Sequence, residues 1–261
     1  MKRTSFLVAI LIAIFVSVPF MVQAAINLGG SGAAAPGPMV KYEPIPEGPI
    51  GLLNGGKHYQ INPKKTALFI IDPQKVYSDP ASPLYCEKYQ TALANIEKLA
   101  RAAHDKGIKV FLIKHVYYSD GNGGYTNCGR LCDFGVQALW GDDNPWSELD
   151  VTPGILKLAN FYAEKSIYSS FTIPVASMLR ILKIDTVIIT GYMTEFCSVT
   201  ATRHGHDLGF KMIYVKDAND GPALLESLGG IDENAAIPFW LSIPVADVYE
   251  TTDDLINALQ Q

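Results

Sequence analysis

The chain has 261 residues, with 21 basic and 26 acidic side chains and a net charge of −5 at neutral pH. That acidic balance argues against a nucleic-acid partner, which calls for a surplus of positive charge. Apolar residues make up 48% of the chain, enough for one sizeable core.

The chain opens "MKRTSFLVAILIAIFVSVPFMVQAA". Lys2 and Arg3 precede an apolar stretch, and Val22-Gln23-Ala24 fits a small-residue cleavage site. Residues 1–24 therefore read as a secretory signal, and the mature protein as periplasmic or secreted. An uncleaved anchor is the alternative, but Ser17 and Pro19 break the apolar stretch and leave it short for a spanning helix of ~20 residues. No later segment reads as a membrane span, so no membrane contact is expected after cleavage. Cleavage would leave 19 basic side chains against 26 acidic ones. Residues 25–63, with "GGSGAAAPGP" and "KYEPIPEGPIG", lack periodicity and read as an exposed Gly/Pro-rich arm. Residues 64–261 form the remaining domain.

From residue 66 the pattern changes. "TALFII" (66–71) is a continuous apolar run, as expected of a strand buried on both faces. Residues 89–107 have helical spacing and stop at Gly107, and "IKVFLIKHV" (108–116) is a second buried strand. A long aromatic, turn-rich stretch spans 117–153. Residues 154–165 lead into a strand that ends near Lys165, and a helix follows over about 174–183. "DTVIIT" (185–190) is a strand, and a helix carrying Cys197 runs to about Leu208. "KMIYVKDA" (211–218) and "PVADVYE" (244–250) are the last strands, before a short helix. Alternating strands and helices predict one doubly wound α/β domain: a six-stranded, mainly parallel, Rossmann-like sheet with helices on both faces.

In such sheets ligands sit beyond the carboxyl ends of the strands. Asp72, His115, Lys165 and Cys197 all fall at or just past such ends, so the fold gathers them on one rim. No G-x-G-x-x-G, P-loop or G-x-S-x-G accompanies them, which removes the nucleotide and serine-hydrolase readings. A cysteine in the first turn of a helix faces free N–H groups and the positive end of the macrodipole, which lowers its pKa. The same N–H groups can hold an oxyanion. Lys165 would favour thiolate, and Asp72 could take the thiol proton and pass it to a leaving amine. Singly, each residue has a duller account: Cys197 as core, Asp72 as a helix cap, Lys165 as a solvated strand end. Their conjunction favours chemistry.

The segments "ALFIIDPQ", "EKSIYSSF" and "ITGYMTEFCSVTATRHGHDLGFKMIYVKDAND" resemble the three signature blocks of the isochorismatase-like cysteine hydrolases, over residues of about 64–258. The resemblance implies a catalytic triad of Asp72, Lys165 and Cys197. It also implies a non-proline cis peptide at Tyr192–Met193, which aims the Met193 N–H, with that of Cys197, at the substrate oxygen. The family's habit and the short edge strands point to a homo-oligomer, a dimer or tetramer. Ser198 departs from the Val usual in the family. The nicotinamidase branch carries an Asp-x-His…His metal site after its second strand, whereas "HVYYSDGNGGYTNC" holds a single histidine. No metal and no cofactor are therefore expected.

Siderophore-type isochorismatases resemble this fold but lack the cysteine, so Cys197 favours hydrolysis of a C–N bond in a small amide, ureido or lactam-like substrate. The alternatives are an enol-ether hydrolase and an exported binding module without catalysis. Candidate substrate contacts are Gln74, Tyr77, His115, Tyr117, Trp140 and Phe171, and the aromatic bias, Trp146 included, points to a flat or cyclic molecule. Cys128 and Cys132 are spaced to bridge in a loop, with Cys86 the other possible partner. A zinc site at "CGRLC" has no nearby histidine to complete it. His204 and His206 read as structural or interfacial, and Asp217 and Asp220 as loop-fixing.

Overall fold

The computed structural model describes residues 58–260 apart from 225, 227, 228 and 243. The signal segment and most of the proposed arm lie outside the described residues.

Six strands build one sheet: β1 (Thr66–Ile71), β2 (Lys109–His115), β3 (Phe161–Lys165), β4 (Thr186–Tyr192), β5 (Lys211–Asp220) and β6 (Ala246–Tyr249). Their order is β3-β2-β1-β4-β5-β6, and every pairing is parallel. This is the doubly wound sheet expected from the alternation of strands and helices. β1 and β4 are buried at every position, which accounts for their continuous apolar sequence. The edge strands β3 and β6 are the two shortest, which limits the unpaired backbone they expose.

Helices cover both faces. On one side lies α2 (Tyr89–Asp105), whose Leu93, Ile96, Leu99, Ala100 and Ala103 form one buried stripe. It packs on β5, β2 and β4 and against α7 (Thr252–Gln260). The other side is closed by α4 (Ile173–Ile181), α5 (Val199–Asp207) and α6 (Glu233–Ser242). Val175, Leu179, Ala201 and Leu241 from these helices share a core with Phe69, Ile71, Phe111, Val187, Met212 and Val248 of the strands. Shorter helices are α1 (Lys75–Ser78) and α3 (Pro153–Leu158). Helix α6 has no counterpart in the sequence reading, because Pro238 lies inside it and no apolar stripe marks it.

The direction of winding reverses between β1 and β4, and a ligand crevice is expected at that point. Gly191, near the end of β4, lets the two strand ends meet. Its φ is +124°, and a Cβ there would collide with the Ile71 backbone. The next residue after Ile71 is Asp72, in left-handed backbone with φ +51°. Residues 58 and 59 are tied to the outer edge of the sheet. Asp247 of β6 accepts from the Tyr59 N–H at 2.7 Å and pairs with His58 at 2.7 Å, and the His58 ring stacks on Tyr249.

The 117–147 region is a compact excursion of tight turns beside the rim. Trp140 rejoins the rim through its carbonyl, which accepts from the Tyr117 N–H at 2.9 Å. Of the pairings open from sequence, the structure forms Cys128–Cys132, leaving Cys86 and Cys197 as free buried thiols.

Candidate active site

Lys165 ends β3 in register with His115, the last residue of β2. Asp72 follows β1, and Cys197 sits in a wide π-type turn (194–198) between β4 and α5. The rim therefore brings together the four residues singled out from the sequence. The Lys165 ammonium is their hub. It donates to Asp72 Oδ2 at 2.8 Å, to Cys197 Sγ at 3.2 Å and to the Ile167 carbonyl at 3.1 Å, and lies 3.1 Å from His115 Nδ1. Cys197 Sγ is 3.7 Å from the same His115 nitrogen. The Lys165 and Asp72 side chains are 0% exposed.

The electrostatics follow from burial. Burial pushes the Asp72 carboxyl above its ordinary value, against the pull of Lys165. Burial pulls the Lys165 ammonium down, but Asp72 and Cys197 together hold it above the usual lysine value. Burial also pushes the Cys197 thiol up, Lys165 pulls it back, and the Asp72 charge raises it again. The expectation of a lowered thiol pKa is thus corrected: Cys197 is 3% exposed, and its desolvation outweighs the pull of Lys165. Lys165 and Asp72 lie at ion-pair distance, and burial favours the protonated thiol of Cys197 beside them.

Asp72, His115 and Cys197 offer O, N and S atoms within 4.8 Å of one another, a set that can bind zinc. The Lys165 ammonium, however, bonds to all three and fills the position a cation would take. The residues do not fit a resident metal.

Around this hub the walls are aromatic. The His115 ring lies 4.7 Å from Tyr117, 5.6 Å from Trp140 and 6.2 Å from Tyr168, and Tyr168 packs on Phe196 at 5.4 Å. Tyr77 stacks on Tyr192, and its hydroxyl accepts from Trp140 Nε1 at 3.1 Å. Sequence reasoning missed Tyr168 and Phe196, although both lie in the segments that carried the resemblance.

Other candidates have structural work. Gln74 is fully engaged with backbone: its amide donates to the His115 and Ser147 carbonyls and accepts from the His115 N–H. Phe171 packs between Phe69 and Phe210 in the core and is not among the rings around His115. Trp146 is held by Asp79 at 2.8 Å. His204 pairs with the Ser169 hydroxyl, His206 is exposed, and Asp217 caps α7 through Thr252. The Tyr192–Met193 peptide is cis, as the resemblance implied.

Residues 66–228 match the family model described as the isochorismatase domain. The chain belongs to the isochorismatase family, and it carries the Asp, Lys and Cys arrangement of that family's cysteine hydrolases. An N-carbamoylsarcosine amidase of Arthrobacter sp is 24% identical over 159 residues, a match that spans 59% of this chain and 58% of the amidase. The chain thus covers less than two thirds of that relative. A cysteine hydrolase from Pseudomonas syringae pv. phaseolicola 1448A shares 26% identity at a TM-score of 0.67, over 78% of this chain and 96% of its own. A nicotinamidase from Bacillus subtilis, 19% identical at a TM-score of 0.57 over 71% of this chain and 99% of its own, shares the fold.

Proposed function

We propose that the protein is an exported cysteine hydrolase that cleaves the C–N bond of a small amide, ureido or lactam-like substrate through a thioester on Cys197. The observation that carries this is the Lys165 ammonium, which reaches both Asp72 at 2.8 Å and Cys197 at 3.2 Å inside a fully buried site. Because burial raises the pKa of the Cys197 thiol, attack calls for a base at the moment of bond formation, and Asp72 is the adjacent carboxylate. Sγ adds to the scissile carbonyl as Asp72 takes the thiol proton. The Met193 and Cys197 N–H groups receive the developing oxyanion, while Lys165 offsets the charge that moves onto sulfur. Collapse breaks the C–N bond, and the leaving nitrogen takes the proton from Asp72. Water, deprotonated by Asp72, then opens the thioester and returns the thiol.

The amidase relative favours a C–N bond over an enol ether, as does a thiol placed at the hub. Export is supported by the signal-like start and by the Cys128–Cys132 disulfide, a bond that persists in oxidising compartments. Assembly as a homo-oligomer is supported by the apolar side chains left exposed on α4, Ile173 at 86% and Ile181 at 73%. The test of the reaction is a panel of small amides, ureas and lactams with intact-mass detection of an acyl adduct on Cys197. A substrate turned over without any adduct on Cys197, under rapid quench, would refute the mechanism.

A further inference from the structure

A cavity of about 490 Å³ opens between the segment before α2, the end of β5 and the start of α6. None of Asp72, His115, Lys165 and Cys197 lines it, nor does any of the aromatic residues around them. Its charge is one-sided: Glu87, Asp220, Glu226 and Asp232 are acidic, and Lys88 alone is basic. Asp220 anchors this wall. It is 4% exposed, the Gly221 and Lys88 N–H groups bond to its carboxylate, and Oδ2 has no partner. Burial pushes the carboxyl up to about 6, which leaves it ionised at neutral pH. A buried, ionised carboxylate with an open oxygen calls for a positive partner. On the same wall, Asn234 donates to the Gly221 carbonyl at 3.1 Å and leaves its own Oδ1 buried and unpaired. A Cβ at Gly221 would collide with the Glu195 carboxylate, so a further acid, with both oxygens unpaired, stands against this wall.

These unpaired groups are all hydrogen-bond acceptors, so their complement is a donor that carries positive charge. Among the described residues, only Asp72, His115 and Cys197 bring three His, Cys, Asp or Glu ligand atoms within 4.8 Å of one another. The acids of the cavity therefore do not close on a bare metal ion. Its volume suits a small organic molecule instead, and Tyr85 adds an aromatic ring to the lining for a cationic head. We propose that this cavity is a second binding site, for a small organic cation with N–H donors, an alkylammonium or a guanidinium. The cation donates to Asp220 Oδ2 and Asn234 Oδ1. Asp220 pairs with Tyr192 at the end of the sheet, and Glu195 lies two residues before Cys197, so the site adjoins the turn that carries the thiol. The inference goes beyond the proposed reaction and does not depend on Cys197 being the nucleophile.

Butylammonium and butan-1-ol read this directly: they share a carbon chain, neither carries an acyl C–N bond, and only the first is charged. Each is titrated into the 15N-labelled full chain at neutral pH and constant ionic strength, and amide shifts are followed by NMR. Butylammonium should move the Lys88, Gly221 and Asn234 amides saturably, and butan-1-ol should not. Asp220→Asn should raise the Kd for butylammonium at least about tenfold, the scale of one charge-assisted hydrogen bond. If that buried substitution unfolds the chain, Asp232→Asn at the exposed rim takes its place, with a rise in Kd of about two- to threefold expected. No saturable movement of those amides, equal movement by butan-1-ol, or an unchanged Kd in the folded variant would overturn the proposal. Shifts centred on Met193 and Cys197 would place the amine in the catalytic chamber and overturn it too.

Discussion

Replacing Asp72 by Asn separates the two effects of its carboxylate on Cys197. The carboxylate is the proposed proton acceptor, so its loss should lower turnover by several orders of magnitude. The same charge also holds the thiol pKa up. Its oxygen lies within 4.8 Å of Sγ, and at an effective dielectric constant of about 20 that separation corresponds to about 3.5 kcal/mol. About 2.5 pKa units follow from that figure. With Asp72 gone, the thiolate becomes the anionic partner left to Lys165, which works in the same direction. Below the thiol pKa each unit of decrease raises the thiolate fraction tenfold. A less basic thiolate is also less nucleophilic, with a Brønsted slope of about 0.4–0.5, which removes nearly half the gain on a logarithmic scale. Iodoacetamide should therefore label Cys197 of Asp72→Asn at least about tenfold faster than the unaltered protein at pH 7.5, followed by intact mass. Labelling that slows together with turnover would refute the reasoning, since it would mean that Asp72 organises the thiol rather than opposing its ionisation.

Lys165→Ala should act oppositely on the thiol, slowing its labelling near neutral pH because the nearest positive charge is removed. It also strands a buried carboxylate, and a loss of about 3–5 kcal/mol of stability in denaturant titration is expected. Glu195, two residues before Cys197, has both carboxylate oxygens buried without a partner, and burial, with Glu233 and Asp220 adding, pushes it up to about 8. Its folded value is raised from 4.5, so the folded state binds more protons than the unfolded chain between about pH 4.5 and about pH 8, and stability falls with rising pH across that window. Glu195→Gln should raise Tm more at pH 8.5 than at pH 5, and an equal change at both would contradict this. Chelation should leave turnover intact, and activity lost to a chelator and restored by a divalent metal would reverse the reading of the Lys165 hub. N-terminal sequencing of protein recovered from the periplasm or medium should begin at Ala25, whereas recovery only as a membrane-bound full-length chain would sink the export proposal.

The sheet was legible because β1 and β4 are buried on both faces and read as unbroken apolar runs, and because the long helix α2 carries a full amphipathic stripe. The convergence of Asp72, His115, Lys165 and Cys197 follows from topology alone, since parallel strands place all their ends on one rim. What sequence could not show depends on register and burial. That His115 stands level with Lys165 is a matter of strand pairing, and the direction of the Cys197 pKa is set by how completely the turn is covered. Phe171 and Gln74 are candidate substrate contacts by sequence, but their side chains turn into the core and onto backbone. Helix α6 escaped notice for want of a stripe and because of its internal proline.

The central claim is that Cys197 carries the acyl group. Rapid-quench mass analysis during turnover of a competent amide should show a transient adduct mapped to Cys197, and Cys197→Ala should show neither adduct nor turnover. Full activity in Cys197→Ala would contradict the account and return the enol-ether reading to first place.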